Sequence, residues 1–294
     1  MIKRTLLIEN KTSITTQHNQ LVLKNEWREG VIPIEDIGFL VLDHAEIYLS
    51  LPAMNLLIEN NAAIIVCGKN HLPNGLFLNL NSHHIQQELF KNQIDASVPL
   101  KKQLWQQTIV EKITNQGLLL ERMTAQKNQF PFLASKVLSG DSSNMEGVAA
   151  SQYWKQFFDM PFKRERFGDY PNNFLNYGYA LLRAGTARAL SGSGLLNTLG
   201  IHHKSKYNAF ALADDIMEPF RPIVDEKVYE LMQRYEEQEL NTAIKAELLQ
   251  LLTRTVYFKE EKSPLMVGLQ KTASSLQQCF AGERKKIKYP KLWI

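Results

Sequence analysis

The 294-residue chain predicts an α+β protein, with a small N-terminal β-domain followed by a larger all-helical domain. Two observations carry that reading. Short β-branched and leucine runs punctuated by polar or glycine residues fill the first 75 residues, and beyond Pro73-Asn74-Gly75 the apolar residues recur at helical spacing. A third supports both: 44% hydrophobic and 22% charged residues are globular composition, too apolar for a disordered chain. The expected division is 1–75 for the β-domain, read as the dimerising part, and 76–294 for the helical domain.

Taken in order, Arg4 to Ile8, Gln20 to Lys24, Val31 to Ile34, Ile37 to Leu42 and Ala62 to Cys67 read as strands, because β-branched and leucine side chains suit a half-buried pleated surface. Glu29-Gly30 and Gly68-Lys69-Asn70 separate them as turns. Pro52 to Asn60 reads as one short helix, since proline suits a first helical turn. Pro73-Asn74-Gly75 reads as a turn closing the domain. Helices are then expected at His84 to Ile94, Pro99 to Lys127, Gly147 to Phe158, Asn172 to Leu190, Asn208 to Glu218, Val224 to Tyr235, Thr242 to Leu252 and Pro264 to Phe280. In the longest of these, Leu100, Leu104, Ile109, Ile113, Leu118 and Leu120 lie among Lys, Gln and Glu. No internal repeat or low-complexity tract is present.

Several functional classes are excluded. The longest apolar run, Ala62 to Gly68, falls far short of the roughly 18 residues a membrane helix needs. The basic start MIKRTLLIENKT lacks the apolar stretch of a secretion signal. Cys67 and Cys279 form no disulfide framework or zinc cluster, so a reducing cytoplasm is expected. No G-x-x-x-x-G-K-[ST] occurs, and Gly192-Ser193-Gly194 follows a helical pattern rather than a strand, so ATP use and hydride transfer are not expected. The net charge of +4 is small but unevenly placed. Residues 1–75 hold six Lys/Arg against eight Asp/Glu, and the remainder holds 28 against 22, so an anionic partner belongs to the second part.

The segment from Gly200 to Arg221 concentrates chemistry. His202 and His203 lie in a loop, and after one helix come Asp214, Asp215 and Glu218; either aspartate shares a helix face with the glutamate at i,i+3 or i,i+4. Three carboxylates so close to two histidines are suited to a cation, and equally describe a solvated acidic helix end stopped by Pro219. Glu146 opens another helix, where Ser142, Ser143 or Asn144 could cap and the dipole favours a carboxylate. Spacing alone does not join it to the histidines.

The run Asn173-Phe-Leu-Asn-Tyr-Gly-Tyr-Ala-Leu-Leu-Arg-Ala, then Leu199-Gly-Ile-His-His and Leu212-Ala-Asp-Asp-Ile-Met-Glu-Pro-Phe-Arg-Pro, resembles CRISPR-associated protein 1, the integrase of the spacer-acquisition module, and looks most like the version that accompanies the type II effector. The resemblance covers the whole chain and implies a β-domain ahead of a helical catalytic domain. It implies that Glu146, His203 and Glu218 are catalytic and bind Mg²⁺ or Mn²⁺, with His202 the alternative one residue away, Asp215 supporting, and Asp214 a cap or surface charge. Two oxygen donors and one imidazole suit such an ion better than a closed structural zinc. The implied function is metal-dependent strand transfer joining 3′-OH ends of foreign DNA into the CRISPR repeat. The alternatives are a structure-specific endonuclease cutting branched DNA and a non-catalytic DNA-binding scaffold. Expected partners are double-stranded DNA, a second copy of the chain, a bridging dimer of CRISPR-associated protein 2, and the type II effector nuclease. Phosphate contacts are expected from Lys163, Arg164, Arg166, Lys204, Lys206, Arg284, Lys285, Lys286 and Lys288, with a solvated basic tail as the alternative for the last four. Tyr177 and Tyr179 suit core packing as well as base stacking.

Overall fold

A computed structural model describes residues 3–81, 83–158, 160–165, 168–259 and 261–293. The N-terminal part contains β1 (Arg4–Ile8), β2 (Thr12–Gln17), β3 (Gln20–Lys24), β4 (Glu29–Pro33), β5 (Ile37–Leu42), β6 (Ile47–Leu49), α1 (Leu51–Glu59), β7 (Ala63–Cys67) and β8 (Pro73–Phe77). They form two four-stranded sheets, ordered β4-β3-β2-β6 and β1-β5-β7-β8. In the second sheet β1 and β7 both run parallel to β5, and β8 closes the edge antiparallel to β7.

The strands β5 and β7 read as unbroken apolar runs because both faces are covered. On one face Leu40 and Ile64 pack with Ile14, Leu21 and Leu57 from the first sheet and α1. On the other, Phe39, Val41, Ala63 and Ile65 join the large core of the helical part. One sheet thus serves two cores.

The sequence reading passes over five strands, the hairpin Thr255–Phe258 and Glu261–Pro264 inside the part expected to be all-helical and three in the N-terminal part. Thr12–Gln17 is almost wholly polar, yet Thr12 and Ile14 point inward with period two. Ile47–Leu49 spans only one parallel pairing with β2. Pro73-Asn74-Gly75 starts a strand instead of making the turn, which lies at Gly68 to His71, where His71 N–H donates to the Gly68 carbonyl at 2.9 Å. A first-residue proline on an edge strand removes no needed donor.

The helical part follows as α2 (Gln86–Ile94), α3 (Val98–Thr124), α4 (Phe130–Ser135), α5 (Met145–Phe157), α6 (Asn172–Gly192), α7 (Ala211–Met217), α8 (Arg221–Arg234) and α9 (Thr242–Leu249). A hairpin of β9 (Thr255–Phe258) and β10 (Glu261–Pro264) then leads into α10 (Leu265–Phe280). Two helices form the bed on which α5, α7 and α8 pack. The long α3 starts at Ser97, whose hydroxyl accepts from Leu100 N–H at 3.3 Å, and buries a stripe through Leu104, Trp105, Thr108, Ile109, Lys112 and Gln116. The central α6 is buried around most of its circumference, and a Cβ at Gly178 would stand 2.5 Å from Val224, so glycine there lets α8 lie close. Gly192-Ser193-Gly194 ends α6 as a turn, with Gly194 at φ +69°.

Candidate active site

Glu146 occupies the first turn of α5. Asn144 Oδ1 caps that helix by accepting from Gly147 N–H at 3.3 Å, and Asp141 accepts from Met145 N–H at 2.8 Å and Glu146 N–H at 3.0 Å. Ser142 and Ser143 make no such cap. Two capping side chains fix the backbone of Glu146 while its carboxylate stays partly open to solvent.

The histidine loop is built on Asp215. This carboxylate is fully buried on α7 and accepts from Ile201 N–H at 2.7 Å, His202 N–H at 2.9 Å and His203 N–H at 3.2 Å. It also accepts a hydrogen bond from His203 Nδ1 at 2.6 Å. Gly200 is required for this closure, because a Cβ there would stand 2.6 Å from the His203 carbonyl and 2.7 Å from Asp215 Oδ2. With Nδ1 committed to Asp215, the Nε2 lone pair is the one His203 can offer to a cation. The hydrogen bond to Asp215 raises the His203 pKa against the lowering effect of burial. His202 does not enter the core, and among the described residues its ring bonds to no backbone group. It lies exposed and flat on Trp105, with centroids 4.1 Å apart. Asp214 differs from a cap or surface charge, being buried against Arg183 Nε at 2.6 Å and Asn208 Nδ2 at 2.8 Å.

Glu218 begins the 3-10 turn between α7 and α8. Asn115 of α3 ties that turn down by donating to the Pro219 carbonyl at 2.9 Å. The Glu218 carboxylate is buried, with Arg221 Nε 2.8 Å from Oε1 and Lys112 Nζ 2.5 Å from Oε2. Lys112 also donates to Glu146 Oε1 at 2.7 Å. Burial raises the Glu218 pKa, but Arg221 and Lys112 together outweigh it and hold the group at about 2. Glu218 is therefore a carboxylate at any ordinary pH.

Glu146 and Glu218 thus meet on one ammonium, and His203 is turned onto Asp215. Among the described residues no group of three His, Cys, Asp or Glu side chains is close enough to hold a metal ion. His203 makes no ion pair with either glutamate there, although Glu218 lies within electrostatic reach and contributes to its raised pKa. Lys112 and Arg221 are the site residues that sequence reasoning missed. For Lys112 a signal existed: it is a cation on the apolar stripe of an amphipathic helix, where an unpaired charge is rarely buried.

Beside Glu218 opens a recess of about 200 Å³ whose lining includes Lys112, Gln116, Trp154, Arg164 and Arg221. At its back Asp225 is buried between two tyrosines, accepting from Tyr153 at 2.9 Å and from Tyr179. Burial pushes Asp225 up to about 6 against those hydrogen bonds. Tyr177 and Tyr179 are both core residues.

The expected phosphate contacts separate into groups. Lys204 and Lys206 are exposed on the histidine loop, and Lys206 lies 5.0 Å over the ring of the exposed Tyr207. Lys163 is exposed and pairs with Glu165 at 2.8 Å. Arg164 faces inward, bonding Asn172 Oδ1 at 2.9 Å and Asn176 Oδ1 at 2.6 Å. Arg166 lies outside the described residues. Arg284, Lys285, Lys286 and Lys288 are exposed, but their segment is no loose tail. Ile287, Leu292 and Trp293 are buried, Ile287 N–H donates to Gln107 of α3 at 2.9 Å, and Lys288 N–H donates to Ser275 of α10 at 2.8 Å.

The fold places the chain in a class first. Its strand-rich part followed by a helical part is similar in fold to a solved casposase bound to integration product (TM-score 0.79, 20% identity, 98% of this chain and 93% of that one). A chain of a solved Cas6-RT-Cas1–Cas2 complex is similar too, with TM-score 0.75 and 20% identity over 99% of this chain and 36% of that chain. The chain belongs to the CRISPR-associated protein Cas1 family, whose model, CRISPR associated protein Cas1, matches residues 6–257. The CRISPR-associated endonuclease Cas1 of Neisseria meningitidis serogroup C (strain 8013) is 33% identical over 99% of this chain and 97% of its own length. The curated relatives that match the chain are named as CRISPR-associated endonucleases. Among the described residues no helix is long and apolar enough to cross a membrane.

Proposed function

We propose that the chain is a CRISPR-adaptation integrase, joining the 3′-OH ends of short foreign DNA to the CRISPR repeat by metal-dependent strand transfer. The observation that carries this reading is the convergence of Glu146 and Glu218, from separate elements, on a single cation beside an imidazole fixed by buried Asp215. The Lys112 ammonium is a stand-in for a bound cation, so the donor set fits Mg²⁺ or Mn²⁺, with Glu146, Glu218 and His203 as the holders. When bound, such an ion supplies Lewis-acid activation of the phosphate and offsets charge on the oxygens that change partners.

The chain's own residues do the rest. Arg221 keeps Glu218 ionised, Asp215 fixes the His203 tautomer, and Arg164 and Arg221 line a recess of positive character for a phosphate beside the carboxylates. In strand transfer a DNA 3′ hydroxyl attacks the phosphorus, the 3′ oxygen of the target strand leaves, and one proton passes from the attacking to the leaving oxygen. One phosphodiester replaces another. The casposase that shares the fold is bound to an integration product, which supports a hydroxyl rather than water as the attacker. The assay is transfer of a labelled 3′-OH duplex into a supercoiled repeat plasmid. Labelled relaxed plasmid supports the reading, and cleavage of branched DNA without joining supports the endonuclease.

Lys204, Lys206, Lys285, Lys286 and Lys288 supply exposed charge for phosphate contacts. Because Ile287, Leu292 and Trp293 belong to the core, charge removal is the sound test and truncation is not. Replacing Lys285 and Lys286 by glutamine should lower the steepness of log K against log salt by about 2, since each phosphate contact contributes roughly 0.9. An unchanged slope would remove both from the DNA surface.

The working assembly is read as two copies joined through the N-terminal strands, with a dimer of CRISPR-associated protein 2 bridging two such pairs and the type II effector nuclease as a further partner. The Cas1–Cas2 complex that contains a chain of this fold supports the bridging partner. Trp27 is 76% exposed beside edge strand β4, where Val31 is 52% exposed, and a strand edge left apolar and unpaired invites pairing. Light scattering should give about 67 kDa, twice the chain mass of 33.7 kDa. A stable monomer at micromolar concentration would overturn the pairing.

A further inference from the structure

Lys112 projects from the middle of α3 and is 8% exposed, so its ammonium depends on protein partners instead of water. An ammonium has three donors and no acceptor, and this one donates to Glu146 and stands in ion-pair contact with Glu218, carboxylates from different elements. Its Nζ stands 2.7 Å from Glu146 Oε1 and 2.5 Å from Glu218 Oε2, which places those two oxygens within about 5 Å of each other. A Mg²⁺ ion takes oxygen ligands at about 2.1 Å in octahedral geometry, so two of its ligands stand roughly 3 to 4 Å apart. The ammonium and the ion claim the same space. They also claim the same charge: Glu218 already has Arg221 on its other oxygen, at 2.8 Å. A divalent ion added while Lys112 remained in place would set three cationic groups around two carboxylates.

We propose that Lys112 is a built-in competitor of the divalent ion: its ammonium holds Glu146 and Glu218 together in the metal-free protein and must leave both when the ion binds. This rests on the reading of those two glutamates as metal ligands. The lysine keeps the pair assembled before loading and lowers the affinity of the DNA-free protein for metal. It is a positioning residue, acting through the carboxylates.

The test is Mn²⁺ titration calorimetry on the full chain without DNA, at one fixed pH, for the wild type and the variants Lys112→Gln, Lys112→Met, Lys112→Arg and Glu218→Gln. Lys112→Gln keeps an amide donor without the charge, and covers the case in which Lys112→Met fails to fold. Both neutral variants that fold should bind Mn²⁺ at least tenfold more tightly than the wild type, and Lys112→Arg should stay weak. Mn²⁺ should also raise the melting temperature of Lys112→Gln by more than it raises that of the wild type. Unchanged or weaker binding in the neutral variants, with Glu218→Gln binding still weaker, would overturn the competition while leaving the glutamates as ligands. Equal Mn²⁺ binding by wild type and Glu218→Gln would overturn the ligand reading, and the competition with it.

Discussion

Glu218→Gln is expected to lower strand transfer by at least about 100-fold, the scale on which losing one preorganised electrostatic contact to a transition state is felt. The amide keeps the volume of the side chain but removes the negative charge that faces Lys112 Nζ and Arg221 Nε. Glu146→Gln and His203→Ala should lose activity comparably, because all three are read as holders of one ion. Their stabilities should separate. Glu218 is 4% exposed, and leaving two buried cations short of a partner puts Glu218→Ala in the range of about 3–5 kcal/mol of destabilisation. Glu146 and His203 are more open, with side-chain exposures of 27% and 43%, so their removal should shift the melting temperature far less. The pH dependence has a definite sign. Glu218 is depressed from 4.5 to about 2, so its stabilising effect is present above pH 4.5 and is lost as pH falls through 2. The stability gap between wild type and Glu218→Gln should therefore close over that acid window. Undiminished transfer by Glu218→Gln would dismiss it as a ligand.

Asp215→Asn should have the next largest effect, about a 10–100-fold loss of transfer, the usual consequence of removing the partner that orients a ligating histidine. Asp215 never faces solvent and acts through other groups, accepting from three consecutive backbone N–H groups, those of residues 201–203, and from the His203 ring. Asparagine offers one acceptor oxygen in place of two, and turns an N–H₂ toward donors on the other side. The histidine loop should loosen and His203 lose its fixed tautomer, while duplex DNA binding persists through the exposed lysines. Loss of DNA binding in step with activity would instead make Asp215 a general support of the loop surface. Full activity would remove it from the site.

Much of this was legible from residues alone, and the failures have physical causes. The strands β5 and β7 could be read because burial on both faces makes them continuously apolar, and α3 and α6 because their length gives the helical period room to show. The strand Thr12–Gln17 was hidden by its polar composition, and β8 by a Pro-Asn-Gly that mimics a turn. Asp215 and Glu218 are joined by the helical repeat at i,i+3, and His203 stands close before them in the chain, in the loop that leads into their helix. Glu146 and Lys112 could not be joined that way. They meet Glu218 only because α3, α5 and the turn after α7 pack together, which is a tertiary fact without a local signature. Charge dominates residues 284–288, which left a solvated tail open as the alternative to phosphate contacts, whereas the buried Ile287, Leu292 and Trp293 interleaved with and following them dock the segment on α3 and α10.

The central claim is that this site joins DNA through a 3′ hydroxyl. Its most direct measurement is a labelled duplex incubated with the protein, CRISPR-associated protein 2 and a supercoiled repeat plasmid, run in parallel with 3′-OH and 3′-deoxy ends and with Mg²⁺, Mn²⁺ or chelator. The expected result is label covalently attached to relaxed plasmid, with the 3′-OH duplex only and with either metal but not chelator. Label transfer from the 3′-deoxy duplex, transfer undiminished by chelator, or plasmid cutting with no joined label under any condition would contradict it.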